Sequence, residues 1–483
     1  MSTARRSLAC LALGGGLGIL ADVIRVWFPE RLALAAWLGL FLIALLLLTD
    51  DDDAVSLPLA AAAIGVGALV WRDSPALHAL NLAVIGGCLL AGSRIGAAVV
   101  QRMGGAVAWA FAALEAGAHA ALGAAAAISE ASWSRVPGGG GLKSARGAVL
   151  GLVLVAPVIV AFSALFAEAD PLFAAGIRRT FDGDLRAYFP HIAVMLAVGW
   201  VATGLLRGAV LPREGNGSVP GLPGGIFGFA TIGTALGGII ALFSVFILMQ
   251  TRYLFGGESL VAGPGGLSHA EYARRGFFEL VGVTALTLPV LLMADWSLDQ
   301  RRLRDAMRFR GLALLLLGLL GAIVVSALSR MALYTGMYGL TELRLYVTAF
   351  MLLLCAIFTW FAMTVLRGNR PAFMRGSLVA SGCAVAALNL LDPDALIARV
   401  NLQRPSPEVP VDVSYLATLS ADAVPALLRH AAGLGREQHC ALVVALGERW
   451  RGGGEAWNVS RVAARRALEA HARETGRNCL IGH

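Results

Sequence analysis

The residues best placed to do chemistry are a short ladder of opposite charges, Glu271, Arg274, Arg275 and Glu279, at the mouth of an apolar run. On a helix, positions 271, 275 and 279 stack at steps of four, so acid, base and acid compensate one another as the chain enters Phe277-Phe278. Two readings stand for the ladder: an amphipathic elbow anchored by Tyr272, or part of a gated polar site. Asp22 and Arg25, three apart on one helix face, can neutralise each other. His78, Asn81, His191, Asp295 and Asn389 fall at or near the ends of apolar runs, where interfacial water can satisfy them.

No catalytic or cofactor motif has the spacing its chemistry needs. Gly138-Gly139-Gly140-Gly141-Leu142-Lys143-Ser144 looks like a phosphate loop, but Leu142 stands where backbone wrapping demands glycine. Neither the H-E-x-x-H nor the G-x-S-x-G pattern occurs, and no cysteine–histidine metal spacing is present. The expectation is a chain with no catalytic residue, no cofactor and no metal, and one that leans away from being an enzyme.

The elements that must position these residues are apolar. With 58% hydrophobic against 14% charged residues, a 483-residue chain cannot clothe itself as a soluble globule. Roughly eleven runs near the ~20 residues needed to cross a bilayer lie at about 8–24, 32–49, 54–71, 76–92, 148–167, 190–211, 226–250, 277–294, 311–330, 344–366 and 375–391. They do not alternate as barrel strands would, so they read as helices. The fold class expected is all-α: a polytopic transmembrane helix bundle of about eleven spans with a small C-terminal helical module outside the membrane. The alanine-rich stretch 95–130 carries Arg94 beside it and Arg102, Glu115 and His119 within it, and reads as an interfacial or cytoplasmic helix. Four regions follow: a four-span region 1–93, a cytoplasmic loop 94–147, a seven-span core 148–391 and a tail 392–483. Small residues four apart, Gly14 with Gly18 and Gly233 with Gly237, suggest close helix contacts.

Sidedness follows from the arginines, because Lys and Arg resist translocation. The loops 94–147 and 295–310 each hold five basic residues and should be cytoplasmic, as should the short loop with Arg367, Arg370 and Arg375. Counting spans puts the N-terminus inside and the tail outside, in a bacterial inner membrane. The first run reads as a signal anchor rather than a cleaved signal. Cys440 and Cys479 are the two cysteines of the tail, and in an oxidising compartment they have two readings, a bridge or unrelated free thiols.

Within the tail, Ser420 is an expected N-cap for a helix 421–432, followed by helices over 437–450 and 457–475. Arg461, Arg465, Glu469 and Arg473 lie at steps of four and read as a solvated face, not a nucleic-acid surface. The expected partners are the lipid bilayer and an envelope protein, with no nucleic acid.

Tyr272-Ala273-Arg274-Arg275-Gly276-Phe277-Phe278-Glu279-Leu280 resembles the signature of a bacterial family of polytopic membrane proteins, domain of unknown function 4173, related to 4153. Ala169-Asp170-Pro171-Leu172-Phe173, the stretch from Tyr334 to Arg344, and Asn389-Leu390 with Asp394 and Asn401 resemble it too. The resemblance covers about 148–420 and implies membership without an activity, a cofactor or a catalytic residue. By loop counting, Asp170, Glu271, Arg274, Arg275, Tyr334, Tyr338, Glu342 and Arg344 share the outer side and could line one polar vestibule with Glu279 at its edge. Three function classes are ranked on that basis: a sensor or envelope assembly protein, then a small-solute transporter, then a membrane-embedded enzyme. A reporter active only in the cytoplasm should work when fused after Arg304 and fail when fused after Arg399; the reverse at either position would overturn the orientation.

Overall fold

Backbone amides inside hydrocarbon have no water to bond, and the described residues meet that constraint with helices. The computed structural model describes residues 3–49, 53–93, 106–131, 184–211, 229–255, 277–298, 303–403, 411–451 and 457–474. In chain order the helices are α1 Thr3–Trp27, α2 Glu30–Leu48, α3 Asp53–Trp71, α4 Pro75–Ala91, α5 Ala106–Glu130, α6 Asp184–Val210, α7 Phe229–Phe255 and α8 Phe277–Ser297. They continue as α9 Leu303–Tyr338, α10 Glu342–Thr364, α11 Arg370–Leu391, α12 Pro393–Gln403, α13 Val413–Thr418, α14 Val424–His430, α15 Arg436–Arg451 and α16 Val459–Glu474.

Among the described residues, 8 helices are long and apolar enough to cross a membrane, and shorter apolar stretches are Leu57–Trp71 within α3, Pro75–Ala91, which is α4, and Val281–Asp295 within α8. One of the eight is Ala112–Glu130 within α5, the stretch expected to lie at the interface. Its alanines give it a narrow profile, and Gly123 meets Gly204 of α6 so closely that a Cβ on Gly123 would sit 2.8 Å from Gly204 Cα. The expected span 148–167 and the glycine loop 138–144 lie outside the described residues.

Two bundles form. In the first, α1 to α4 pack with α6 around Leu17, Phe41, Leu45, Ala202 and Leu206. The sequence had assigned α6 to a separate seven-span core, but small residues draw it onto α1: Gly14 faces Thr203 and Gly18 faces Gly199, so the two helices run antiparallel. The second bundle joins α7 to α11 around Leu236, Leu291, Leu316, Met351 and Phe361. Among the described residues, Gly237 has nothing within 4 Å of where its Cβ would stand, and the nearest atoms to that of Gly233 belong to Phe229 of its own helix. The spacing that marks a close helix contact in α1 therefore marks none in α7 among the described residues.

At 36 residues α9 is about 54 Å long at 1.5 Å per residue, well beyond a ~30 Å hydrocarbon core. Arg304, Arg308 and Arg310 occupy one overhang and Tyr334 and Tyr338 the other. Gly368, at φ 86°, makes the left-handed corner between α10 and α11 that a side chain would strain. Asn369 then caps α11, its side chain accepting from the Ala372 amide at 3.2 Å.

Ion pairs between helices tie ends that arginine counting places on one side. Ser7 and Arg207 both donate to Glu130 at one end of the first bundle; at the other end Asp22 accepts from His191, 2.8 Å away, and from Arg25. Asp295 and Arg370 meet at 2.6 Å, both on the side expected to be cytoplasmic. His191 and Asp295 thus have protein partners where the sequence suggested interfacial water.

The α1–α6 seam has little room to give. Gly18→Ala would push a methyl toward the Gly199 backbone, with 2.8 Å to its Cα, whereas Gly15 has nothing within 4 Å. Overpacking of this kind costs ~1–3 kcal/mol. In detergent-solubilised protein, Gly18→Ala should lower the melting temperature by several degrees and Gly15→Ala should leave it unchanged; equal melting curves would contradict the close approach.

Candidate functional site

The corner between α3 and α4 is the sequence Arg72-Asp73-Ser74, and all three residues are buried. Charges there are tolerable only if paired and hydrogen-bonded. Their partners come from far along the chain, at the end of α11 and in the tail.

Arg72 fills its planar fork completely enough to show why lysine would not serve. Nε donates to the Asn389 carbonyl at 2.8 Å, Nη2 donates to the same oxygen, and Nη1 reaches Asp392 and, at 3.5 Å, Asp422. The guanidinium lies 4.2 Å from the Trp71 ring centroid. Asp422 sits at the N-terminus of α4, accepting from the amides of Asp73 at 2.8 Å and Ser74 at 3.0 Å. Ser74 occupies the cap position but makes no capping bond with its own side chain, so a carboxylate from the tail caps this helix and complements its dipole. Ser460 also donates to Asp422.

Asp73 gathers the opposite set. It pairs with Arg31 at the start of α2 and with Arg461 of α16 at 2.8 Å, and accepts from Asn458 at 3.0 Å and the Ala421 amide at 3.2 Å. Arg461 is thereby half-buried in the joint, and its guanidinium stands 5.5 Å from the Trp450 ring. The solvated face expected of α16 therefore lacks its first member, because Asp73 provides a buried countercharge that helix periodicity could not reveal.

A buried amide pair continues the joint into the bundle. Asn81 of α4 and Asn389 of α11 exchange side-chain bonds at 3.1 and 2.9 Å. His78 bonds the Arg72 carbonyl at 2.7 Å. None of these three relies on interfacial water, as the sequence had suggested. Asp392 has φ 56°, a left-handed conformation rare outside glycine, and its side chain accepts from the Ala395 amide at 3.2 Å to start α12. Burial raises its carboxyl from the ordinary range, helped by the Asp422 charge and opposed by Arg72.

Behind this joint lies Asp394, 0% exposed. One oxygen, Oδ2, accepts from the Ser420 amide at 3.2 Å and contacts the Ser420 hydroxyl; Oδ1 has no hydrogen-bond partner among the described residues. Burial, with the charges of Glu342 and Asp422, lifts the Asp394 carboxyl to about 7. Ser420 makes no cap bond, because its hydroxyl is engaged between Asp394 and Asp422; the expected helix over 421–432 is a 3-10 turn Ala421–Ala423, then α14, then a second such turn.

Four of the sequence-predicted site residues come together beside this joint, at the corner between α9 and α10. Tyr334 and Tyr338 have ring centroids 4.9 Å apart, and Arg344 stands 4.2 Å over the Tyr334 ring while donating to the Gly339 carbonyl. The Glu342 amide donates to the Tyr415 hydroxyl at 2.9 Å, and Asn401 holds both amide and carbonyl of Leu340 at 2.7 and 2.8 Å. The tail thus grips this corner too. Glu279 lies in the first turn of α8. Asp170, Glu271, Arg274, Arg275 and Cys479 lie outside the described residues, while Cys440 on α15 is disulfide-bonded.

Apolar packing seals the arrangement: Leu77 of α4, Leu345 of α10 and Leu388 of α11 belong to one core with Ile397, Leu416, Leu427, Leu442 and Leu468 of the tail. The sequence had singled out Asn81, Asn389, Asp394 and Asn401, but missed Arg72, Asp73 and Asp422. The available signal was Arg72-Asp73 between two apolar runs with scarcely a loop to solvate them.

Residues 59–430 match the family described as Domain of unknown function (DUF4153). The match begins in α3 and so includes the Arg72 corner, upstream of the region where the resemblance had been noted. No curated protein and no solved structure matches the chain.

Removing one partner of a buried ion pair costs ~3–5 kcal/mol, while exposed pairs are worth under ~1 kcal/mol. Asp422→Ala should therefore release the tail, seen as loss of amide-exchange protection across 413–474, whereas Glu469→Ala on the exposed side of α16 should not; equal protection in both would mean the joint contributes little.

Proposed function

The chain belongs to the DUF4153 family of unknown function, and from that premise we propose that this multi-pass membrane protein senses or assembles with an envelope partner through a docked tail. The observation that carries the reading is the joint itself: tail residues Asp422, Asn458, Ser460 and Arg461 close around the α3–α4 corner, so any force on the tail is delivered to the ends of α2, α3, α4 and α11. The buried polar groups spend most of their bonding on one another. That favours a mechanical coupling over a solute path or an acid–base centre, which keep their polar groups turned to a cavity. In this reading the membrane is a bacterial inner membrane, the N-terminus is cytoplasmic, and the tail faces outward. The bonded state of Cys440 supports an oxidising side, with Cys479 as the proposed partner. Kinship to the 4173 family belongs to the same proposal.

Photocrosslinking tests it. A photoreactive residue at exposed positions 437 and 448 of α15, in otherwise complete protein in native membranes, should capture one defined envelope protein, and Asp422→Ala should change that yield. Absence of any specific adduct, together with solute uptake by vesicles containing the purified protein, would replace this reading with transport.

A further inference from the structure

The Ser420 hydroxyl lies within hydrogen-bonding reach of two carboxylates, Asp394 Oδ2 and Asp422 Oδ2, the latter at 3.0 Å. A hydroxyl carries one hydrogen. It can donate to one carboxylate, and the second contact becomes a hydrogen bond only if that carboxylate donates back. The two acids are unequally supplied with donors. Asp422 receives the Asp73 and Ser74 amides and Arg72, and shares the single hydrogen of the Ser460 hydroxyl with the Trp71 carbonyl. Among the described residues, Asp394 receives one amide, has an oxygen with no hydrogen-bond partner, and forms no ion pair.

The charge of the whole joint gives the same answer. Arg31, Arg72 and Arg461 are its cations; Asp73, Asp392, Asp394 and Asp422 are its carboxylates, leaving one negative charge in excess. The groups facing Asp394 do not correct this. From α10 come Glu342 and Tyr346, from α13 Tyr415, and from the 3-10 turn Asp422. On α14, Arg429 is exposed and turned to the Pro425 carbonyl, and His430 is engaged with Gln403; on α10, Arg344 is turned to Gly339, and on α12 itself Arg399 is exposed and bonds the Ala395 carbonyl.

We propose that Asp394, Ser420 and Asp422 form a proton-binding site that latches the tail to the membrane helices. In the latched state Asp394 carries the proton and donates it to Ser420 Oγ, and Ser420 donates its own hydrogen to Asp422. Loss of that proton leaves a carboxylate in a fully buried place beside two acids, and the tail loosens to hydrate it. The elevated carboxyl of Asp394 agrees with this. The sign follows: a tail released to water would return Asp394 to its ordinary range, so the docked state holds one proton more between that range and about 7. Docking weakens as pH rises through this window and levels off above it, by up to about tenfold per pH unit for one proton. The inference deepens the docked-tail reading, but its test measures attachment and protonation in the protein alone, so it can fail while partner capture stands, and the reverse.

The test uses full-length protein in nanodiscs between pH 5 and 8. Amide-exchange protection factors for 413–474 should fall with rising pH in wild type, whereas Asp394→Asn, whose amide donates to Ser420 without titrating, should remove that slope and protect the tail at pH 8 better than wild type. The three described histidines of the tail are common to both proteins and cancel in the comparison. Infrared difference spectra of wild type should show a protonated-carboxyl band at pH 6 that fades toward pH 8, and Asp394→Asn should lack it. An unchanged slope in Asp394→Asn overturns the proposal. So does absence of the band from wild type at pH 6, a measurement that stands even if the variant fails to fold.

Discussion

A charge buried at the end of a membrane helix has to be answered by another charge, and in this protein most of the answer to Arg72 and Asp73 comes from more than three hundred residues away. Arg72 and Asp73 would be intolerable in an apolar corner by themselves. Asn389 and Asp392 at the end of α11 and Asp422, Asn458 and Arg461 in the tail make the corner stable, and in doing so fix where α11 and the tail must be. The requirement runs both ways. Asp422 and Asp394 are carboxylates in a small helical module that could not bury them without the α4 N-terminus and Ser420.

This mutual need explains the division of labour between apolar and polar contact. Inside the bilayer, helix association gains little from hydrophobicity, because lipid tails are as apolar as leucine. Close packing of small residues does the work there, as at Gly18 against Gly199. The tail associates differently, condensing around Leu416, Leu427, Leu442 and Leu468 onto Leu77, Leu345 and Leu388 by apolar burial. The charged joint borders this core, and the two bundles are tied together there through Arg72 and the carbonyl of Asn389.

Much of the helical framework could be read from run length and composition, since the hydrocarbon thickness sets a minimum apolar length for every span. The alanine-rich α5 escaped because alanine serves an interfacial helix and a tightly packed one equally well, and only a facing glycine such as Gly204 distinguishes them. The site was legible in part. Asn389, Asp394, Asn401 and the run from Tyr334 to Arg344 could be singled out as a pattern, yet their partners could not, because no periodicity links Arg72 to Asp422 or Asn81 to Asn389. Ser420 shows the limit most plainly: its type and position fit a helix cap, and only tertiary contact with two acids turns it into a bridge between them. Of the charge ladder, conspicuous in sequence, Glu271, Arg274 and Arg275 lie outside the described residues, and only Glu279 falls within a described helix, α8.

The exchange of amide bonds between Asn81 and Asn389 carries a consequence for register. Two amides that exchange bonds do so at one axial offset and one rotation of α4 against α11; a slip of a single turn would break the exchange and leave Asn389 only its bond to the Val385 carbonyl. A leucine pair would pack there at many offsets. The asparagines therefore act as an index pin, much as a lone asparagine in a coiled-coil seam does. They hold the Asn389 carbonyl at the height where Arg72 meets it, so sliding α4 along α11 would break the amide exchange and the arginine contact together.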